Sequence, residues 1–170
     1  MQIRIENSQD HEDVYQLVKK AFASAEHAAG NEQDLVVALR KSDAFIPELS
    51  LVAEEDGGVV GHILFSKIKI ADKTELALSP LSVLPEYQRR GIGQALIKKG
   101  HDVASELGYE YSVVLGSETY YPKVGYLPAA LYGIKAPFEV MSENFMAFNL
   151  QGKSTTLNGV VEYAKEFFEN

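Results

Sequence analysis

Strand-like and helix-like spacings of apolar residues alternate along the first half of the chain. Four strands are predicted, over residues 2–6, 49–54, 59–70 and 74–83. Apolar residues recur at helical spacing over 14–22 and again over 32–41, which predicts two helices after the first strand. Asp10 is the expected N-cap of the first helix, and Asp56-Gly57-Gly58 predicts a hairpin turn.

The second half continues the same mixture of elements. Ile92, Leu96 and Val103 form an apolar stripe on a helix predicted over residues 92–107, and Gly108 is its expected end. The other predicted elements are a central strand over 110–115, a helical turn over 119–123, a strand over 145–150 and a helix over 157–168. This order is typical of a mixed α/β fold, and no linker divides the chain, so we expect one domain over 1–170.

A glycine-rich turn joins the fourth predicted strand to the helix that follows it. Its sequence is Gln88-Arg89-Arg90-Gly91-Ile92-Gly93. The first turn of a helix has backbone N–H groups without partners at the positive end of the helix dipole. Glycines let an anion approach these groups, and the two arginines can bind phosphate oxygens. The turn therefore predicts a site for a phosphorylated ligand, a pyrophosphate above all.

A dinucleotide-binding fingerprint is one interpretation of this turn. That pattern has a third glycine where this chain has Leu96, and it has an acidic residue that ends the next strand. Glu110 has about the right separation, but it begins the predicted strand. In the other simple interpretation, the turn is an ordinary connection and the two arginines are a solvated basic pair. That interpretation requires two glycines, two arginines and a strand-to-helix context to coincide.

Composition limits the classes of function. Hydrophobic residues make up 46% of the chain and charged residues 24%, as in a globular protein, and no apolar run approaches the length that spans a membrane. The absence of cysteine excludes disulfides, thiolate metal sites and a cysteine nucleophile, and with the absence of a signal-peptide pattern it favours the cytoplasm. A net charge of -8 argues against general nucleic-acid binding. Positive charge for a polyanion must then be local, as it is at Arg89 and Arg90.

Two stretches together resemble a known enzyme superfamily. Residues 81–93, which read Leu-Ser-Val-Leu-Pro-Glu-Tyr-Gln-Arg-Arg-Gly-Ile-Gly, resemble the acetyl-coenzyme A signature of the GNAT superfamily of N-acetyltransferases. Residues 120–126, Tyr-Tyr-Pro-Lys-Val-Gly-Tyr, are similar to the aromatic element that closes the cofactor site of that family. The flanking runs are most similar to the YhbS-like branch of uncharacterised bacterial predicted acetyltransferases.

The resemblance implies a fold and a cofactor. The fold is the GNAT-like acyl-CoA N-acyltransferase fold, a central mixed, mostly antiparallel sheet with helices on both faces. Acetyl-CoA would be bound where the strand ending at Val83 separates from the strand ending at Leu115, and Ser79-Pro80 is a plausible bulge because proline cannot donate to a ladder. The expected cofactor-binding residues are Leu81, Val83, Gln88, Arg89, Arg90, Gly91, Gly93 and Gln94.

The implied reaction transfers an acetyl group to a primary amine of a small molecule or a peptide. The amine would attack the thioester directly in a ternary complex, and the resemblance also implies a homodimer. Tyr121 matches the tyrosine of the family that protonates the departing thiolate, although the same residue could simply pack against the cofactor. An alternative function is a non-catalytic acyl-CoA-binding sensor.

The sequence does not identify the general base that takes the proton of the amine. Glu118 is the candidate nearest to Tyr121 in sequence, Glu75 and His62 are alternatives, and water is a fourth. The other histidines, at positions 11, 27 and 101, are expected on the surface, and none has the spacing of a metal site.

Overall fold

The computed structural model describes residues 1–23, 28–153 and 156–169. The helices of this part are α1 (His11–Phe22), α2 (Glu32–Arg40) and α3 (Ile92–Glu106). Its strands are β1 (Gln2–Ile5), β2 (Ser50–Glu55), β3 (Gly58–Ile70), β4 (Lys73–Val83), β5 (Tyr111–Leu115), β6 (Leu127–Pro128), β7 (Ile134–Lys135), β8 (Phe145–Asn149) and β9 (Gly159–Glu162). Within these residues no helix combines the length and the hydrophobicity needed to cross a bilayer.

The strands form one mixed sheet in the order β1-β2-β3-β4-β5-β8-β6. Neighbours along this path are antiparallel except β4 and β5, which run parallel. β9 pairs antiparallel with the far end of β3 and parallel with β7. The expected central, mostly antiparallel sheet is therefore confirmed.

The alternation of side chains along β3 divides the core between the two faces of the sheet. Ile63 and Phe65 pack on α3 through Leu96 and its neighbours. Leu64, which points the other way, packs on Val14 of α1 and on the α2 residues beside it. Burial of each such side chain stabilises the fold by about 1.5–3 kcal/mol, so helices are held on both faces, as expected.

A bulge in β4 interrupts its pairing with β3. Ile63 lies opposite Leu81, whereas Phe65 lies opposite Leu78, so Leu64 faces two residues of β4 instead of one. These two residues are Ser79 and Pro80. The bulge is therefore where the sequence predicts it, and it lies in the strand that leads to the glycine-rich turn.

β4 and β5 separate soon after they meet. Their ladder consists of Leu76 opposite Ser112 and Ala77 opposite Val113. β4 continues to Val83 and β5 to Leu115, but no further residue pairs join these two strands in the described part of the chain. The result is a gap between the two strands, which we call the β4–β5 gap.

The predicted C-terminal helix is wrong. Residues 157–168 contain β9 and a 3₁₀ turn, Lys165–Phe168, instead of a helix. β3 extends beyond β2, and the edge that β2 leaves open at Lys69 and Ile70 pairs with β9. Strand pairing therefore overrides the helical spacing of residues 157–168.

Asp10 is the N-cap residue of α1, as expected, but its side chain makes no capping hydrogen bond. Its carboxylate accepts the backbone N–H of Asn7 at 2.7 Å and pairs with Arg4, where the guanidinium nitrogens lie 2.7 and 2.9 Å from its oxygens. The Asn7 side chain accepts in turn from Gln9, so the cap belongs to the short 3₁₀ turn Ser8–Asp10. Arg4 therefore takes the carboxylate that would otherwise cap the helix.

Candidate functional site

The beginning of α3 is open to an anion. Gly91 is the N-cap residue and has φ of 85°, a left-handed conformation that glycine adopts without strain. No side chain of the described residues caps this end, and the first turn of α3 has no acidic residue. The free N–H groups and the helix dipole therefore face outward, as a phosphate site requires.

A cleft of about 530 Å³ lies in front of this helix end. We call it the α3 cleft. It is lined by Leu81, Val83, Tyr87, Gln88, Arg89, Gly91, Ile92, Gly93, Gln94, Tyr120 and Lys123. The structure thus brings together all of the expected cofactor-binding residues except Arg90.

Arg90 lies over an aromatic ring beside the cleft. Its guanidinium carbon is 5.0 Å from the centroid of Tyr87, a cation–π contact of about 0.5–1 kcal/mol at an exposed site. The Tyr87 hydroxyl donates to Asp56 at 2.9 Å, which fixes the ring. Lys123 lines the cleft together with Arg89. Sequence reasoning missed this lysine, although it lies inside the aromatic element at 120–126.

Gly93 lines the α3 cleft and also makes room for a neighbouring side chain. A Cβ atom on this residue would lie 2.4 Å from the Tyr120 hydroxyl, a separation that real Cβ atoms do not show. The glycine therefore makes room for Tyr120, which also lines the cleft. Its ring meets Tyr121 edge to face, with centroids 5.1 Å apart.

Tyr121 lies at the end of β5 between two other tyrosines. Its ring is 5.6 Å from that of the buried Tyr126, and a Cβ on Gly116 would lie 2.5 Å from its Cε2 atom. Burial raises the pKa of Tyr121 well above its usual value, so the phenol stays protonated at neutral pH. Tyr121 is not among the side chains that line the α3 cleft, whereas Tyr120 is.

Glu118 is exposed and hydrogen-bonded. Its carboxylate accepts from Asn144 Nδ2 at 2.7 Å, and the same amide group donates to the Gly116 carbonyl at 3.0 Å. A hydrogen bond from its own backbone N–H and the one from Asn144 lower the pKa of Glu118. The carboxylate is therefore ionised at neutral pH and accessible to water.

Glu75 is buried at the opposite end of β4 from Val83. Its Oε1 atom accepts the backbone N–H groups of Glu110 and Tyr111 at 2.8 and 3.1 Å. Burial raises the pKa of Glu75. Through these two hydrogen bonds the Glu75 carboxylate stabilises the start of β5.

His62 is fully buried in a polar network on the face of the sheet that α1 covers. Its Nε2 atom is 3.1 Å from Ser50 Oγ, which donates to Glu6 at 2.6 Å, and Arg40 pairs with the same carboxylate at 2.9 and 3.0 Å. Burial lowers the pKa of His62 to about 4. The imidazole is therefore neutral and enclosed.

His101 is not a surface residue, contrary to expectation. It stacks on Phe148 with ring centroids 4.0 Å apart, and its Nε2 atom is 3.0 Å from the Tyr126 hydroxyl. Burial lowers its pKa to about 4. His11 is exposed, as expected, and His27 lies outside the described residues. In the described ranges no cluster of acidic and histidine side chains is arranged to hold a metal ion.

Sequence comparison identifies relatives over most of the chain. The family described as Acetyltransferase (GNAT) family matches residues 11–126. The uncharacterized N-acetyltransferase YjhQ of Escherichia coli strain K12 is 33% identical over an alignment of 168 residues, which covers 94% of this chain and 90% of that protein.

Solved structures share the fold. A GNAT family acetyltransferase from Brucella melitensis, crystallised in complex with acetyl-CoA, is 33% identical with a TM-score of 0.82, over 98% of this chain and 97% of that one. The GNAT family N-acetyltransferase YhbS from Escherichia coli, in complex with CoA, is 28% identical with a TM-score of 0.87, over 99% and 92%. In both, the similarity extends over nearly the whole of each chain.

Proposed function

Because the chain belongs to the acetyltransferase (GNAT) family of N-acetyltransferases, we propose that it moves an acetyl group from acetyl-CoA to a primary amine of a small molecule or a peptide. The resemblance noted from the sequence is thereby confirmed at the level of the family. The observation that carries the proposal is the uncapped N-terminus of α3, which opens into a cleft beside the β4–β5 gap.

The residues of the α3 cleft fit a coenzyme A diphosphate. The first N–H groups of α3 face the cleft, and Arg89 and Lys123 add two positive charges. Leu81 and Val83 place the unpaired edge of β4 beside the diphosphate position, where an extended pantetheine arm can lie along the strand. Among solved relatives, the Brucella melitensis protein was crystallised with acetyl-CoA and YhbS with CoA.

Acetyl-CoA supplies a thioester that an amine can attack without a covalent enzyme intermediate. The chain has no cysteine to form one, and direct attack in a ternary complex needs only positioning and proton transfer. We assign Tyr121 as the acid that protonates the departing sulfur, since burial keeps its phenol protonated.

A proton must also leave the attacking amine. Of the three side chains considered, His62 and Glu75 are buried and already bonded within the fold. Glu118 is exposed and ionised three residues before Tyr121, so we assign it as the acceptor of this proton through water. A cytoplasmic location, one domain over 1–170 and a homodimer remain parts of the proposal.

Calorimetry with CoA, followed by a screen of amines with thiol release as the readout, tests the proposal. Tyr121→Phe should lower kcat at least about tenfold and leave CoA affinity unchanged, because the lost proton donor acts only in the transition state. Tyr132→Phe is the matched control, since Tyr132 packs on Tyr111 at 5.1 Å in the core cluster away from α3, whereas Tyr121 packs in the cluster on the α3 side.

Three outcomes are distinct. Failure to bind CoA at millimolar concentration would refute the proposal. Binding without turnover of any amine would indicate a non-catalytic acyl-CoA sensor. Turnover that is indifferent to Tyr121→Phe would reduce Tyr121 to a packing residue.

A further inference from the structure

A second cavity opens on the other face of the sheet at the same β4–β5 gap. Its floor consists of Ala77, Leu78 and Ser79 from β4 and Val113 and Leu115 from β5. Ala77 and Val113 belong to the core cluster away from α3, whereas Leu76, Leu78 and Val114 pack towards α3. The cavity therefore lies across the sheet from the α3 cleft, and β4 contributes residues to both.

Aromatic rings form the outer wall of this cavity. They are Phe138 from the loop before β8 and Tyr163, Phe167 and Phe168 from the end of the described chain. Tyr163 stacks on Phe138 with centroids 6.1 Å apart and lies 5.2 Å from Phe167, so the rings support one another. We call this cavity the aromatic pocket.

Charge and size limit what the aromatic pocket can hold. Among the described residues that line it there is neither a carboxylate nor a cationic side chain. Its volume is about 210 Å³, and an apolar protein cavity of roughly 150 Å³ is enough for benzene. A ring with two or three further carbons therefore fills it, whereas a polycation would leave charges without partners.

We propose that the acceptor is a primary amine with one apolar group of about phenyl size, which binds in the aromatic pocket with its amine towards the β4–β5 gap. This proposal rests on the proposed function and names its substrate class. The apolar group then packs on the aromatic wall, and the amine lies at the gap, where β4 and β5 are not paired with each other and backbone carbonyl groups can accept its hydrogen bonds. Polyamines and aminoglycosides, whose several charges need carboxylate partners, are excluded as preferred acceptors.

The test measures binding and turnover separately on the CoA-loaded protein. Phenethylamine and 1,4-diaminobutane are compared by saturation-transfer NMR for binding, and by thiol release from acetyl-CoA for turnover. Phenethylamine should bind the CoA-loaded protein and should have a kcat/KM at least about tenfold above that of the diamine.

Phe168→Glu sharpens the test because it places a carboxylate at the rim. Phe168 is 65% exposed, so the substitution should not disturb the core. It should weaken phenethylamine binding at least about tenfold and strengthen diamine binding, while CoA affinity stays the same. Leu131→Glu is the matched control, since Leu131 is 63% exposed and does not line the pocket.

Absence of phenethylamine binding, preference for the diamine in the unmodified protein, or an equal response to both substitutions would overturn the inference. Phenethylamine binding that Phe168→Glu weakens, without acetyl transfer, would instead support the occupant of the pocket and refute the transferase proposal. If the unmodified protein binds phenethylamine but does not bind CoA, the proposed function alone is refuted.

Discussion

The contact between Gly93 and Tyr120 gives a prediction that links packing to cofactor binding. In Gly93→Ala the new methyl carbon would lie 2.4 Å from the Tyr120 hydroxyl, so the ring must move. The next nearest atoms, Leu81 Cδ2 and Tyr120 Cζ, are 3.6 and 3.7 Å away, which is ordinary contact. The clash therefore comes from one oxygen atom.

The magnitudes follow from this geometry. Overpacking of this kind costs about 1–3 kcal/mol, against which alanine gains up to about 1 kcal/mol of helix propensity over glycine. Tyr120 lines the α3 cleft, so its displacement should also weaken CoA binding. In a Tyr120→Phe background the oxygen is absent, and Gly93→Ala should then be neutral or slightly stabilising.

A double-mutant cycle measures the effect. Urea unfolding and CoA calorimetry on the two single variants and the double variant should give a coupling of about 1–3 kcal/mol in stability, with recovery of CoA affinity in the double variant. If Gly93→Ala is equally harmful with and without the hydroxyl, the glycine serves the ligand directly and the packing argument is wrong.

Two further predictions concern stability. Burial lowers the pKa of His62 and His101 to about 4, below the value of roughly 6.5 in an unfolded chain, so the unfolded state binds more protons between these values. The stability contributed by the two neutral histidines should be fully present above about pH 6.5 and should fall by up to about 3 kcal/mol per histidine as the pH drops towards 4. Urea unfolding at several pH values measures this dependence. His101→Gln should flatten it, and His11→Gln, at an exposed position, should not. Gly91→Ala should lower the free energy of unfolding by about 1–2 kcal/mol because φ is 85°. Gly58→Ala, which is also in open space but has no positive φ, should lower it less. Equal losses in thermal or urea unfolding would contradict the strain argument.

Local chemistry made part of the site predictable. The open helix end follows from Gly91 and the turn before it, and the bulge follows from Pro80, because proline cannot donate to a ladder. Each is a property of a few consecutive residues. The pattern of apolar residues similarly predicted β4 and β5, the strands on either side of the β4–β5 gap.

Other parts depend on residues that are distant in sequence. β9 forms where β2 leaves one edge of β3 open, and His101 is buried because Phe148 and Tyr126 lie against it. Lys123 lines the α3 cleft for a similar reason, since the turn that carries it is brought to α3 by the fold. No local pattern encodes such neighbours.

The extra residue in β4 has a consequence for the whole strand. In a regular strand, positions 77, 79, 81 and 83 would all point to one side. Here Ala77 and Ser79 line the aromatic pocket, whereas Leu81 and Val83 line the α3 cleft. The inserted residue therefore shifts the positions that face α3 from 76 and 78 before the bulge to 81 and 83 after it, while the direction of the strand stays the same. Deletion of Pro80 would restore the regular alternation and leave Leu81 and Val83 on the α3 side, because Leu81 would then follow the α3-facing Leu78 by two positions.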